Sequence, residues 1–248
     1  MGQDAVATMN SLRRSIKWVP HAERSVMNAV IVAVALLLAT FTSAAADFED
    51  CGDLANAYGP FDYRTSKDKL LIVDGTHFTR DVEALRRGNT GPLGADIDYT
   101  LRASPNHHRA LIAMANLGRN LNTEQPQGAK YTVACYFDRA IRFAGDDGVV
   151  RLIYGTYLSR AGKLQDARQQ LELGLTLEPA NANIHYNLGL LYFDLKDYPK
   201  ARLHAQRAYE LGFQLPGLKR KLEEARQWET PAGGPSSAAG EVRPAAPK

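Results

Sequence analysis

Nine side chains carry the types that metal binding, acid-base work or redox chemistry would draw on: the adjacent pair His107-His108, His77, the acid pairs Asp96/Asp98 and Asp146-Asp147, and, for redox, Cys51 with Cys135. Neighbouring residues on a helix point in different directions, so His107 and His108 have poor geometry for one metal, and roles at a helix start or in packing explain them better. Asp146 and Asp147 suit the positive N-terminal end of a following helix. No serine, cysteine or histidine stands in the local context of a nucleophile, and no glycine-rich loop follows a strand to cradle phosphate. The expectation is a protein without enzymatic activity, cofactor or bound metal. The competing reading is a metal-dependent enzyme using His77, His107, His108 and the nearby acids. Lys219-Arg220-Lys221 reads as a solvated helix face, with anionic lipid or an acidic partner as the alternative.

The cysteines connect to the question of compartment. Residues 1–46 begin with Arg13, Arg14, Lys17 and Arg24, continue through an apolar run from Val26 to Phe41 and end in Ser43-Ala44-Ala45-Ala46, the order of a secretory signal. Cleavage before Asp47 is expected. In the alternative the stretch 26–46 is retained, since it would nearly span a bilayer of ~30 Å, which allows association with the inner membrane. Basic residues precede the run and few follow it, so the body is exported either way. Arg13-Arg14 lies too far from the run for a twin-arginine signal, and Phe48-Glu49-Asp50 is wrong for lipidation of Cys51. Two exported cysteines are expected to pair, Cys51 with Cys135. A buried Cys135 with a free Cys51 is the other possibility.

Composition excludes some partners. The chain of 248 residues is 45% hydrophobic and 23% charged, ordinary globular usage. Beyond residue 46 the balance is 26 basic to 25 acidic residues, a formal charge of +1, which offers nucleic acid no obvious handle.

These side chains must be positioned by helices. Gly155 and Gly189, Ala167 and Ala201, Gly174 and Ala208, and Leu177 and Leu211 are each separated by 34 residues, a period that marks stacked helical hairpins. An earlier hairpin pairs 107–118 with 131–143 through a loop about six residues longer, near Asn120 to Gln127. Upstream, residues 47–76 show no sustained helical period, and Lys69 to Val73 is expected as an extended segment. Helices are expected at 77–88, with Phe78, Val82 and Leu85 on one face, and at 95–103, stopped before Pro105. Pro216 to Trp228 forms one more helix, and 229–248, with four Pro and three Gly, reads as a disordered tail.

This region resembles the tetratricopeptide-repeat family. Gly155, Gly189 and Ala115 match the small residue of its first helix; Ala167, Leu171 and Gly174, with Ala201, Ala205 and Ala208, match the second; Pro179 matches the repeat-ending proline. Ala205 replaces a usual aromatic and Gly145 a usual proline. The resemblance implies an all-α solenoid of helical hairpins: an irregular segment plus a degenerate hairpin over 47–106, three repeats over 107–215, and a capping helix over 216–228. It further implies a concave groove lined by first helices, here Arg109, Ile112, Asn116, Leu152, Thr156, Ser159, Tyr186, Leu190 and Phe193. These side chains favour an amphipathic or hydrophobic protein segment, unless the chain's own C-terminal helix or residues 47–76 cover part of them. The family's carboxylate-gripping pattern is not supplied by Leu152, Tyr186 and Leu190. The functional expectation is a periplasmic adaptor or assembly factor that binds a peptide or helix of another envelope protein. An alternative is an inner-membrane-anchored scaffold of a secretion, pilus or polysaccharide assembly machine.

Overall fold

A computed structural model describes residues 51–228. The expected signal or anchor at 1–46 and the expected tail at 229–248 lie outside the described residues. The chain divides into two units, Met1–Asp50 and Cys51–Lys248, and every described residue belongs to the second.

Among the described residues all regular structure is helical. The helices are α1 (Lys67–Thr76), α2 (Arg80–Glu83), α3 (Leu93–Ala103), α4 (His108–Leu121), α5 (Val133–Phe143), α6 (Gly148–Arg160), α7 (Leu164–Leu177), α8 (Ala182–Asp194), α9 (Tyr198–Glu210) and α10 (Gly217–Glu224). The hairpins α6/α7 and α8/α9 start 34 residues apart, the spacing of the sequence repeat. Their first helices begin at equivalent caps: the Asp147 carboxylate accepts from the amides of Val149 and Val150, and the Asn181 side chain accepts from those of Asn183 and Ile184. His107 caps α4 in the same way, accepting at Nδ1 from the Ala110 amide. Each satisfies donors that the first helical turn leaves unpaired.

The repeat glycines sit where two backbones approach. A Cβ on Gly155 would lie 2.6 Å from Leu171 Cγ and 3.1 Å from the Ala167 carbonyl oxygen. One on Gly189 would lie 2.4 Å from Leu218 Cδ2 and 3.2 Å from the Ala201 carbonyl oxygen. Gly189→Leu is therefore expected to lose about 1–3 kcal/mol by overpacking, read as a fall in melting temperature. An unchanged melt would refute the close crossing.

The core forms two connected clusters. Ile97, Leu101, Leu111, Met114, Phe137 and Val150 centre the first, and Leu171, Ile184, Leu188, Ala201, Leu218 and Leu222 the second. Tyr154 and Tyr157 pack against both. Leu218 and Leu222, one turn apart on α10, supply the stripe that closes the second cluster against water.

Two expectations need correction. Residues 69–73 are not extended: they lie in α1, where Leu70 and Val73, three apart, are buried while Leu71 and Ile72 face outward. Helical spacing lets this segment bury two side chains on its neighbours, which outweighs the β-branched character of Ile72 and Val73. The helix expected over 77–88 shrinks to α2, because Leu85 takes the left-handed φ of 55° and turns the chain. Asn89 and Thr90 then return to the buried Asp96, which accepts from both backbone amides and from the Thr90 hydroxyl. In addition α3 begins two residues before position 95, and α10 ends at Glu224.

Cys51 and Cys135 form a disulfide, with Cα atoms 5.1 Å apart, that fastens the chain ahead of α1 to α5. The buried guanidinium of Arg139, one turn along α5, donates to the carbonyls of Cys51 at 2.9 Å and Asp53 at 2.7 Å. Arg142 donates to the carbonyl of Gly52. Farther along, the Phe61 amide donates to the Ala103 carbonyl, and Asn106 donates to Asp62.

A histidine pair lies between α8 and α9. His185 Nε2 is 3.1 Å from the Pro179 carbonyl, which requires its proton there, so His185 Nδ1 accepts from His204 Nδ1 at 3.0 Å. Burial and the neighbouring His185 push His204 down to about 4. The unfolded chain then binds a proton near pH 6.5 that the folded one refuses, so stability falls as pH drops from about 6.5 to about 4. Partial exposure limits the loss to about 1–2 kcal/mol. Melting temperature against pH should be flatter in this window for His204→Phe than for the unaltered protein; equal slopes would exclude the pair as the cause.

Candidate functional site

The first helices α4, α6 and α8 lie side by side, and a cavity of about 520 Å³ opens on the face they share. Residues three or four apart occupy one helical face. By that rule α4 contributes Ile112, Asn116 and Arg119, α6 contributes Leu152, Thr156 and Arg160, and α8 contributes Asn183 and Asn187. The loop after α4 closes one end through Asn122, Thr123 and Glu124. That loop bends back because Asn122 takes a left-handed φ of 49°, and the Glu124 carbonyl accepts from the Val133 amide.

The floor is apolar, with Ile112, Leu152, Ile153 and Val133, and Ile112 is 46% exposed despite its size. Amides line one wall. Thr156 Oγ1 is 2.8 Å from the Leu152 carbonyl and 3.4 Å from Asn187 Oδ1, and Asn187 Nδ2 donates to the Asn183 carbonyl. Burial, with the nearby Glu124 carboxylate, pushes the Tyr157 phenol up, so it is a neutral hydroxyl at physiological pH. Arg119 and Arg160 stand exposed at the rim, and neither has a carboxylate within ion-pair distance among the described residues.

The structure divides the nine groove residues expected from sequence. Ile112, Asn116, Leu152 and Thr156 come together in the cavity wall. Arg109 instead forms an ion pair with Glu83 and lies over the Phe78 ring, 5.5 Å from its centroid. Ser159 is half-buried on α6 outside the wall. Tyr186 stacks on Phe213 from the segment before α10, with ring centroids 3.9 Å apart. Leu190 and Phe193 pack against the second core cluster, Phe193 edge-on to Tyr198 with Lys221 of α10 over its ring. The chain's own C-terminal elements thus lie against the third-repeat end, and the open volume is at the α4 and α6 end.

Sequence reasoning missed Arg119, Arg160, Asn183 and Asn187. The first two continue the faces of Asn116 and Thr156 by three and four residues, so helical spacing held a usable signal for them. Nothing in the sequence marked the loop at Asn122 to Glu124 as a wall.

The histidines occupy separate settings. His77 Nδ1 is 3.0 Å from Asp96, His107 Nε2 is 3.1 Å from Asp74, and His108 Nε2 is 2.8 Å from Asp147. Asp96 and Asp98 diverge as well: Asp98 accepts from the Tyr136 hydroxyl, Arg102 and the Lys130 amide. No group of three or more metal-ligating side chains occurs among the described residues.

Comparison with known families agrees with this construction. A family model described as a TPR repeat matches residues 159–196, and one described as a tetratricopeptide repeat matches residues 182–212. Together they cover the end of α6 through α9. No curated protein matches the chain. With hairpins in a 34-residue register, glycines at the crossings and both family matches on the same segment, the chain carries tetratricopeptide repeats over residues 159–212 in an all-helical solenoid, a module of the kind that mediates protein–protein interaction.

Proposed function

We propose that this protein is a non-catalytic periplasmic adaptor or assembly factor that holds a segment of another envelope protein in the cavity between α4, α6 and α8. The observation that carries this reading is the cavity itself, about 520 Å³ with an apolar floor and amide walls on the face shared by the first helices. A volume in this range seats one or two side chains with the adjoining backbone, and the amides offer donors and acceptors to an extended chain. Export rests on the basic, apolar and small-residue order of residues 1–46 and is favoured by the Cys51–Cys135 disulfide, which an oxidising compartment maintains.

A photo-crosslinking residue at Thr156 is expected to capture a protein partner in the native envelope, while the same residue at Leu173, exposed on α7, captures none. Equal capture at both positions, or none at either, would overturn the cavity as the docking site. The N-terminal residue of the protein purified from the envelope distinguishes a free adaptor, beginning near Asp47, from an anchored scaffold that retains 26–46.

A further inference from the structure

Resting on that reading, we infer that the cavity selects a partner segment in which a large apolar side chain lies beside an Asp or Glu side chain, the carboxylate being held by Arg119 and Arg160. The two guanidinium groups come from different first helices and stand on the rim of one cavity, over the apolar floor of Ile112 and Leu152. Most arginines elsewhere in the described chain are engaged: Arg64 with Asp62 and Asp146, Arg109 with Glu83, Arg142 with Asp138, and Arg139 with the carbonyls of Cys51 and Asp53. Arg119 and Arg160 have no such partner, and the cavity holds one carboxylate, Glu124, against their two positive charges.

Glu124 lies near Tyr157, where its charge helps raise the phenol. The wall therefore has a net charge of +1 where a segment would enter. Guanidinium groups grip carboxylates through paired N–H donors, and two of them on the rim of one cavity add their attraction for the same anion. An apolar floor beneath a positive rim thus fits an acidic, apolar segment and disfavours a basic one by like-charge repulsion.

The test uses the protein as purified from its native source, and a displayed library of random octapeptides flanked on both sides by fixed sequence, so that no terminal carboxylate is present. The selected pool is expected to be enriched in Asp or Glu next to Leu, Ile or Phe. Individual hits, measured by fluorescence anisotropy, should bind about tenfold more weakly to Arg119→Gln/Arg160→Gln and lose affinity as salt rises. Against this double variant the acidic preference should vanish while the apolar one persists. Peptides enriched without an acidic preference, or with Lys or Arg, would overturn the inference and leave docking in the cavity standing. Binding only to peptides with a free C-terminus would overturn it in favour of a terminal carboxylate. Displacement by equimolar inorganic phosphate would reduce the site to a general anion site. Hits that are unaffected by Leu152→Arg bind elsewhere and would bring down the docking assignment as well.

Discussion

Reduction of the Cys51–Cys135 bond, or Cys51→Ser with Cys135→Ser, is expected to lower the unfolding free energy by about 4–5 kcal/mol on the chain-entropy model. The magnitude follows from the sequence separation of 84 between the cysteines, whose distance in the unfolded chain the bond restricts. A second effect acts on the folded side. Arg139 is 1% exposed, and its guanidinium is compensated by the carbonyls of Cys51 and Asp53 rather than by a carboxylate. If the segment ahead of α1 lifts away, a buried charge loses those acceptors, which is costly. Denaturant titration with and without reductant should give midpoints that differ strongly, with proteolysis near residues 52–60 appearing first in the reduced protein. Coincident midpoints would show that the bond contributes little to the native state.

The second large effect is expected at Asp147. Its carboxylate caps α6 through the amides of Val149 and Val150, accepts from Asn106 at 2.9 Å and lies 2.8 Å from His108 Nε2. Arg64 adds a charge 3.7 Å away. Burial pushes this carboxyl up, yet the hydrogen bonds from His108, Asn106 and the Val150 amide outweigh burial and hold it below the usual carboxylate range. Because the folded pKa is depressed, the stabilisation is present above the unfolded carboxylate range and is lost as pH falls through the folded value. Asp147→Ala removes the cap, takes one of two acceptors from the Asn106 amide, which keeps Asp62, and takes the carboxylate partner from His108, for an expected loss of about 3 kcal/mol. Asp147→Asn can keep the cap but not the charge and should lose roughly half of that. The contrast is measurable in chemical denaturation; equal losses would mean that the charge, not the cap, dominates. Asn181 holds the equivalent position on α8 with an uncharged amide that donates to Glu178, so the charge at Asp147 belongs to the network joining residues 62–64 to the first repeats.

The cavity between α4, α6 and α8 shows where sequence reading stops. The groove that the repeat-family resemblance implies, laid along the faces of the first helices, located Ile112, Asn116, Leu152 and Thr156, which line the cavity together. The same resemblance placed Tyr186, Leu190 and Phe193 in the groove, and it holds for their helix faces. What it omitted is Phe213, which lies 27 residues beyond Tyr186 and 20 beyond Phe193 in sequence yet stacks directly on Tyr186. Likewise, Arg109 sits on the predicted face yet is taken by Glu83, a residue of the short α2.

The amino-acid sequence alone determined the all-helical class, the 34-residue hairpin register, the glycine crossings and the cysteine pair available for bonding. These depend on periodicity and on local steric limits, which are written within a few turns of chain. Tertiary structure alone decided that residues 69–73 coil into α1, that Asp147 gathers partners from 41 and 39 residues upstream, and that a cavity opens between α4, α6 and the first turns of α8. Each of those outcomes is a contest among distant segments for the same buried surface, and burial energy is assigned only when the elements meet.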